Sequence, residues 1–492
     1  MSTTADRTAV DRTAEVAAAA AGYLESWLDH QRRRLRVPGV QAAVRVGGEL
    51  VLDTALGTAD LDSGAPLTPG HLFRIASHSK IFTATAVLQL VEAGRLRLDD
   101  PIGRWVPALA GSALAPVTVR ELLGHQGGVI RDGRDNDHWQ LGQPFPDAEL
   151  LLRIATDEGA VLERNEHFKY SNIGYSLLGL AIEAVTGTGY AAHLQAAVLD
   201  PLGLADTGPE WEPTRAGEHA IGHTGLLDGE DTRLTVPAVD TRAMAAATGF
   251  WSTARDLTAF GAALSAGDAR LLREDTKRLM RRPESEIRAH SAPVRHYGLG
   301  MDLRTVGARR LVGHSGGFPG HITRTWIDPE AEVVVSVLTN AVDGPADALA
   351  RGLLGLLDLA LAAPALAAPA LAAPADGEQP PAAALARYAG RFVNLWGSTD
   401  VALLGGRLVL LHPSLPEPAE EHLELTVEGA DTLRQETVAG FGAAGETVEY
   451  SWAEDGTAAA VRFGGISAWP ADVFRARRAD QVRAGHTGGA GR

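Results

Sequence analysis

The 492-residue chain contains no cysteine. Disulfides, thiolate nucleophiles and cysteine-built zinc sites are therefore excluded. Positive charge is scarce: 45 Lys and Arg stand against 61 Asp and Glu, a net charge of −16. Without a basic field to neutralise phosphates, nucleic acid is not an expected partner. The 16 histidines form no His-Glu-x-x-His pattern, so neither a metal nor a cofactor is expected. Long apolar runs are missing too. The most apolar stretch, residues 352–374, is rich in weakly hydrophobic alanine and interrupted by Asp358, Pro364, Pro369 and Pro374. That argues against a membrane span. Residues 16–21 follow Asp6, Asp11 and Glu15 and are too short and weak for a secretory signal. A cytoplasmic location is expected, with export left open.

What is present reads as an ordered series of elements. A surface helix is expected over 13–35. Residues 40–46 and 49–56 are β-type runs joined by Gly47-Gly48, a hairpin signal. A buried helix then runs to about Glu92 and stops at Gly94. A short helix is expected at 119–124, with further helices at 148–158, 173–197 and 252–265. Residues 205–240 are polar and irregular. Strands return at 298–303, 310–312, 322–327 and 333–338, before a last helix at 344–361. Terminal β segments around a helical middle predict an α+β domain whose ends share one antiparallel sheet.

Beyond it, Ala-Leu-Ala-Ala-Pro occurs three times at a five-residue period, which predicts a semi-extended linker. From Tyr388 onward the β runs are short and closely spaced, at 388–392, 400–404, 407–411, 423–427, 447–452 and 458–463. They predict a small antiparallel barrel. The expected division is an N-terminal helix and leader at 1–36, the α+β domain at 37–360, a linker at 361–384, the barrel at 385–478 and a disordered tail at 479–492.

The chemistry centres on Ser77-His78-Ser79-Lys80. Residues three apart share one helix face, so the Lys80 amine can reach the Ser77 hydroxyl. A serine needs a base to become nucleophilic, and a lysine becomes one when desolvation lowers its pKa. The apolar neighbours Ile75, Ala76, Ile81 and Phe82 suit that role. Tyr170-Ser171-Asn172 heads a later helix, either as a proton-handling pair or as a plain helix cap. His314-Ser315-Gly316-Gly317 lies on a strand-like segment whose glycines allow close approach of a ligand to the backbone.

Ser77-x-x-Lys80, Tyr170-x-Asn172 and His314-x-Gly316, in that order, resemble the serine β-lactamase and penicillin-binding-protein family. The resemblance lies in the branch of class C β-lactamases, family VIII esterases and D-aminopeptidases. Leu122-Leu123-Gly124-His125, residues 249–256 and Tyr297-Gly298-Leu299-Gly300 support it. It implies a β-lactamase/transpeptidase-like fold over about 30–360, an acyl-enzyme at Ser77, Lys80 as base, and Tyr170 sharing the proton work. It further implies that Asn172 positions substrate and that Ser77 and Gly317 N–H groups form an oxyanion hole. Gly316 and His125 are expected to border the substrate.

His314 stands where relatives carry a lysine, which removes a permanent cation and puts penicillin turnover in doubt. The C-terminal barrel is similar to the lipocalin-like domains appended to some relatives. The expected function is hydrolysis of small esters, amides or peptides, as an esterase or D-amino-acid peptidase. A thioesterase or peptide cyclase, a weak β-lactamase and a catalytically silent ligand-binding relative are the alternatives. The oligomeric state is not readable.

Gly313-His314-Ser315-Gly316-Gly317 also fits the Gly-x-Ser-x-Gly elbow of α/β-hydrolases. That elbow needs a helix directly after it, and Phe318-Pro319-Gly320 followed by a β run does not supply one.

Overall fold

The computed structural model describes residues 4–226, 230–288, 293–362, 382–436, 445–463 and 465–476. Most of the expected linker and all of the expected tail lie outside the described residues. The chain separates into two compact units, Leu35–Ala350 and the combination of Met1–Arg34 with Arg351–Arg492.

The first unit is built on an eight-stranded antiparallel sheet that the two ends of its chain share. The hairpin Gly39–Val46 and Glu49–Gly57 lies at one edge. Gly39–Val46 pairs with Val333–Thr339, which pairs with His321–Asp328 and then with Arg309–Phe318. Asp302–Val306, Arg295–Tyr297 and Ser285–Ile287 complete the other edge. Val333–Thr339 is buried along its whole length. That is why it reads as an unbroken apolar run rather than an alternating one.

The helix Ser79–Glu92 buries every residue from Ser79 to Leu88. A helix that is apolar all round belongs inside, and it forms the axis of the core with Asn172–Thr186.

Three local expectations differ from the structure. The strand expected at 298–303 begins only at Asp302. Gly298 and Gly300 form a turn instead, because a Cβ on Gly298 would sit 2.3 Å from Met280 O and one on Gly300 2.3 Å from Ala84 Cβ. The helix expected over 173–197 breaks at Gly187, which caps Asn172–Thr186 in the left-handed region at φ +71. The strand expected at 310–312 and the strand-like segment at 314–317 are one continuous strand that ends at Phe318.

The second unit contains a closed eight-stranded antiparallel barrel. Its first strand, Gly390–Asn394, pairs with Gly397–Leu404 on one side and with the last, Ile466–Pro470, on the other. Phe392, Leu408, Leu433, Val448 and Val461 fill its interior. Two of its strands, Thr432–Gln435 and Ile466–Pro470, have no counterpart in the sequence reading.

The N-terminal helix, Thr4–Arg34, belongs to this unit and is no plain surface element. Leu24, Trp27 and Leu28 are fully buried. Tyr23 donates to Asp400 at 3.0 Å, and Gln31 donates to the carbonyls of Pro413 and Leu415 at 2.7 and 2.8 Å. Among the described residues no helix is long and apolar enough to cross a membrane.

Candidate active site

Ser77 lies in a tight turn, Ala76–His78, directly before the helix Ser79–Glu92. A short strand leads into it, Phe73–Arg74, paired with Trp251–Ser252. Ile75 N donates to Phe250 O at 3.0 Å, and Ser79 Oγ closes the turn on Ala76 O at 2.6 Å. Phe250 N donates to the same Ser79 hydroxyl at 3.1 Å. The residues around 249–256 thus act as the splint of the serine turn. Ala76 sits at φ +44, a left-handed conformation that a residue with a Cβ adopts only under constraint.

Lys80 is fully buried. Its Nζ lies 3.4 Å from Ser77 Oγ, 2.7 Å from Asn172 Oδ1 and 2.9 Å from Ala247 O. The Tyr170 ring covers it at 4.6 Å and the Tyr175 ring at 5.5 Å. Desolvation holds its pKa well below the ordinary value; Asp132 pulls the other way and Arg131 adds to the lowering. A neutral amine has two N–H groups and one lone pair. Two of its three neighbours, the amide oxygen and the carbonyl, only accept, so the lone pair is left for the Ser77 hydroxyl. An amine so placed can take the serine proton.

Ser171 caps the helix Asn172–Thr186 by accepting from Gly174 N, and Asn172 is its first residue. The cap and a site residue are therefore neighbours rather than rival readings. The Tyr170 hydroxyl is raised in pKa by burial, with the Ser77 hydroxyl as a hydrogen-bond partner acting in the opposite sense. It remains protonated at neutral pH, fit to relay a proton and not to serve as a standing phenolate base.

The strand Arg309–Phe318 packs on the serine turn. Gly316 is buried against it: a Cβ there would lie 2.1 Å from Ile75 O and 2.5 Å from Thr323 Oγ1. Gly317 faces outward, and a Cβ on it would meet only Ile322 Cδ1, at 3.6 Å. His314 is buried, and desolvation, with Lys80 as the next cause, keeps its pKa well below 6.5. Its Nδ1 donates to Ser315 O at 2.6 Å, so Nε2 carries the lone pair and accepts from the Tyr297 hydroxyl at 3.1 Å. Both ring nitrogens are engaged and the ring is neutral.

No helix follows this strand. A turn at Pro319-Gly320 leads into the strand His321–Asp328, so the α/β-hydrolase elbow is absent.

His125 is buried at φ +57. Its Nδ1 accepts from Ser171 N at 3.2 Å, and its ring lies 4.4 Å from that of Tyr170. Its ring also lies 5.0 Å from that of Tyr175 and 4.9 Å from that of Tyr297. The structure therefore brings Ser77, Lys80, Tyr170, Asn172, His314, Gly316 and Gly317 together.

Sequence reading missed two groups that touch this constellation, the Asp132 carboxylate and the Ala247 carbonyl. Nothing in the polar run Arg131-Asp132-Gly133-Arg134-Asp135 marks one aspartate out from the other, and a backbone carbonyl carries no residue signature.

The chain is similar to several known proteins. Penicillin-binding protein 4* of Bacillus subtilis (strain 168) is 29% identical over 56% of this chain and 62% of its own length. Esterase EstB of Burkholderia gladioli is 34% identical over 39% of this chain and 52% of its own. The chain thus spans less than two thirds of the length of these curated relatives. Among solved structures, SurE with D-Leu is 26% identical, covering 92% of this chain and 99% of that one at a TM-score of 0.55. The D-amino acid amidase of Ochrobactrum anthropi SV3, complexed with D-phenylalanine, is 30% identical over 65% and 90%, also at a TM-score of 0.55. The Beta-lactamase family model matches residues 24–360, and with that match over most of its length the chain belongs to the Beta-lactamase family.

Proposed function

We propose that this chain is a serine hydrolase that forms an acyl-enzyme at Ser77 and releases the acyl group to water. The observation that carries the reading is the buried Lys80 amine, 3.4 Å from Ser77 Oγ with both N–H groups accounted for elsewhere. Lys80 accepts the Ser77 proton as Oγ bonds to the substrate carbonyl carbon. The oxygen of that carbonyl takes up the charge and is met by the N–H groups of Ser77 and Gly317. The carbon–leaving-group bond then breaks. The proton held on Lys80 passes to the departing alcohol or amine, with the Tyr170 hydroxyl as relay. A water, deprotonated by the same pair, attacks the acyl carbon and frees Ser77.

The substrates proposed are small esters and amides, including D-amino-acyl amides and peptides. Three relatives support this: one named an esterase, one named a D-amino acid amidase, and one solved with D-Leu. The neutral, fully engaged His314 offers no cation to a substrate carboxylate, which disfavours efficient turnover of penicillins and cephalosporins.

A panel of p-nitrophenyl esters, D-amino acid amides, D-Ala-D-Ala peptides and nitrocefin tests the reading. Short esters and D-amino acid amides should be turned over, and nitrocefin slowly or not at all. Fluorophosphonate labelling should vanish in Ser77→Ala and persist in Ser315→Ala. Turnover of D-Ala-D-Ala peptides without turnover of short esters would overturn the substrate assignment. Labelling that survives in Ser77→Ala would overturn the mechanism.

A further inference from the structure

Asp132 is a carboxylate inside the protein, only 2% exposed. Its Oδ2 lies 3.1 Å from Arg131 Nε, and its Oδ1 accepts from Asn172 Nδ2 at 2.7 Å. From the other end of that amide, Asn172 Oδ1 faces Lys80 Nζ at 2.7 Å. The contacts form one line: Arg131, Asp132, Asn172, Lys80, Ser77.

An asparagine amide has a donating end and an accepting end of nearly the same shape, and only its partners decide which way it lies. An ionised carboxylate accepts and never donates, so it takes the N–H end. The oxygen is thereby left for the lysine. This orientation matters to the base. With Asn172 Oδ1 and Ala247 O occupying the two N–H groups of a neutral amine, its lone pair is free for Ser77. Were the amide reversed, its N–H end would face the amine and occupy that lone pair.

The backbone fastens the same segments together. Asn172 N and Ile173 N both donate to Arg131 O, at 2.9 and 3.1 Å, and Ser171 Oγ donates to Ile130 O at 2.7 Å. Residues 130–132 are thus tied to the head of the helix that carries Asn172.

We propose that Asp132 is a positioning residue of this site: it orients the Asn172 amide so that the Lys80 lone pair stays free for the Ser77 hydroxyl, with Arg131 as its counter-ion. The inference rests on the acylation reading above and adds a residue to it.

The charges around Lys80 make the test directional. Asp132 favours the ammonium and Arg131 opposes it. The rings of Tyr170 and Tyr175 lie over the amine, and the buried imidazoles of His125 and His314 also feel its charge. Removing the Asp132 charge therefore favours the neutral amine still more. Removing the Arg131 charge, on a side chain 63% exposed and tolerant of change, favours the ammonium.

Rates of p-nitrophenyl ester hydrolysis and of fluorophosphonate labelling should be measured against pH. The proteins are wild type, Asp132→Asn, Arg131→Gln, Asn172→Ala and the double variant Asp132→Asn/Asn172→Ala. Asp132→Asn should lower kcat about ten- to a hundredfold, as the loss of an outer partner does at other tuned sites, and move the acid limb of kcat/KM to lower pH. Arg131→Gln should move that limb to higher pH. In the Asn172→Ala background the Asp132 substitution should cost less than about twofold, because its effect passes through the amide.

An Asp132→Asn enzyme within about twofold of wild type, or a full additive loss in the double variant, overturns the proposal. If Asp132→Asn does not fold, an unmoved acid limb in Arg131→Gln overturns it instead. Absence of labelling in wild type overturns the acylation reading and this inference with it; normal wild-type labelling beside an unaffected Asp132→Asn overturns this inference alone.

Discussion

At the scale of the single residue, the site depends on groups held in states they would not adopt in water. Lys80 is the first. Burial lowers its pKa, so over the range below its ordinary value of 10.5 the folded chain holds fewer protons than the unfolded one. Stability from this group therefore falls as pH drops toward the lowered pKa. Activity follows the same direction: kcat/KM is expected to decline on the acid side as the amine becomes protonated. A pH-rate profile on a neutral ester checks this, and Lys80→Met should lower kcat by about 10²–10⁴ at every pH.

Ala76 is the second, at φ +44 directly before the nucleophile. Ala76→Gly relieves a left-handed strain of about 1–2 kcal/mol but gives back part of it as extra freedom in the unfolded chain. A urea titration should show stability unchanged or slightly raised, while kcat falls because the serine turn is no longer held. The Ser-x-x-Lys spacing was legible because helix geometry alone puts residues three apart on one face. Ala76 was not, since backbone strain leaves no mark on residue type.

At the scale of the element, the strand Arg309–Phe318 decides how close the sheet comes to Ser77. Its two adjacent glycines predict opposite outcomes. Gly316→Ala places a Cβ 2.1 Å from Ile75 O, so the strand must withdraw from the serine turn. We expect a loss of about 1–3 kcal/mol in denaturant melts, together with most of the activity. Gly317→Ala meets nothing nearer than 3.6 Å. Its melt should match wild type, and its effect should appear in kcat/KM alone, as a methyl group beside the proposed oxyanion hole.

The sequence reading bounded the apolar strand at 310–312 and gave His314–Gly317 only as strand-like, for a physical reason. His314, Ser315 and the glycines break the apolar alternation that marks a strand, and they do so because this stretch serves the site. Neighbouring Val333–Thr339, buried throughout, was readable almost to the residue. In the barrel, Thr432–Gln435 was missed because four residues of mixed polarity carry too short a pattern, whereas Thr447–Trp452 alternates clearly.

At the scale of the whole molecule, the net charge of −16 favours the approach of cations. For a substrate with a free ammonium, kcat/KM should fall severalfold between about 20 and 200 mM salt, and a neutral ester of similar size should show no such change. Stopped-flow or initial-rate measurements at the two salt levels check this.

The unit made from both ends of the chain can be probed at Trp27, fully buried and in a cleft that Gly352 leaves open: a Cβ there would lie 2.2 Å from the indole. Trp27→Ala should cost about 3–5 kcal/mol in that unit. No composition or periodicity argument could have paired the N-terminal helix with strands at the far end of the chain. Long-range partners are written in shape complementarity, not in local pattern.

That pairing also has a consequence in time. Tyr23 and its partner Asp400 are 377 residues apart. At a synthesis rate of about 5–20 residues per second, the helix leaves the ribosome roughly 20–75 s before the strand that receives it exists. During that interval Leu24, Trp27 and Leu28 have no native partner from the barrel, while the β-lactamase-like unit is made between them. The nascent helix is thus a natural client for a holding chaperone until the strand that carries Asp400 is made.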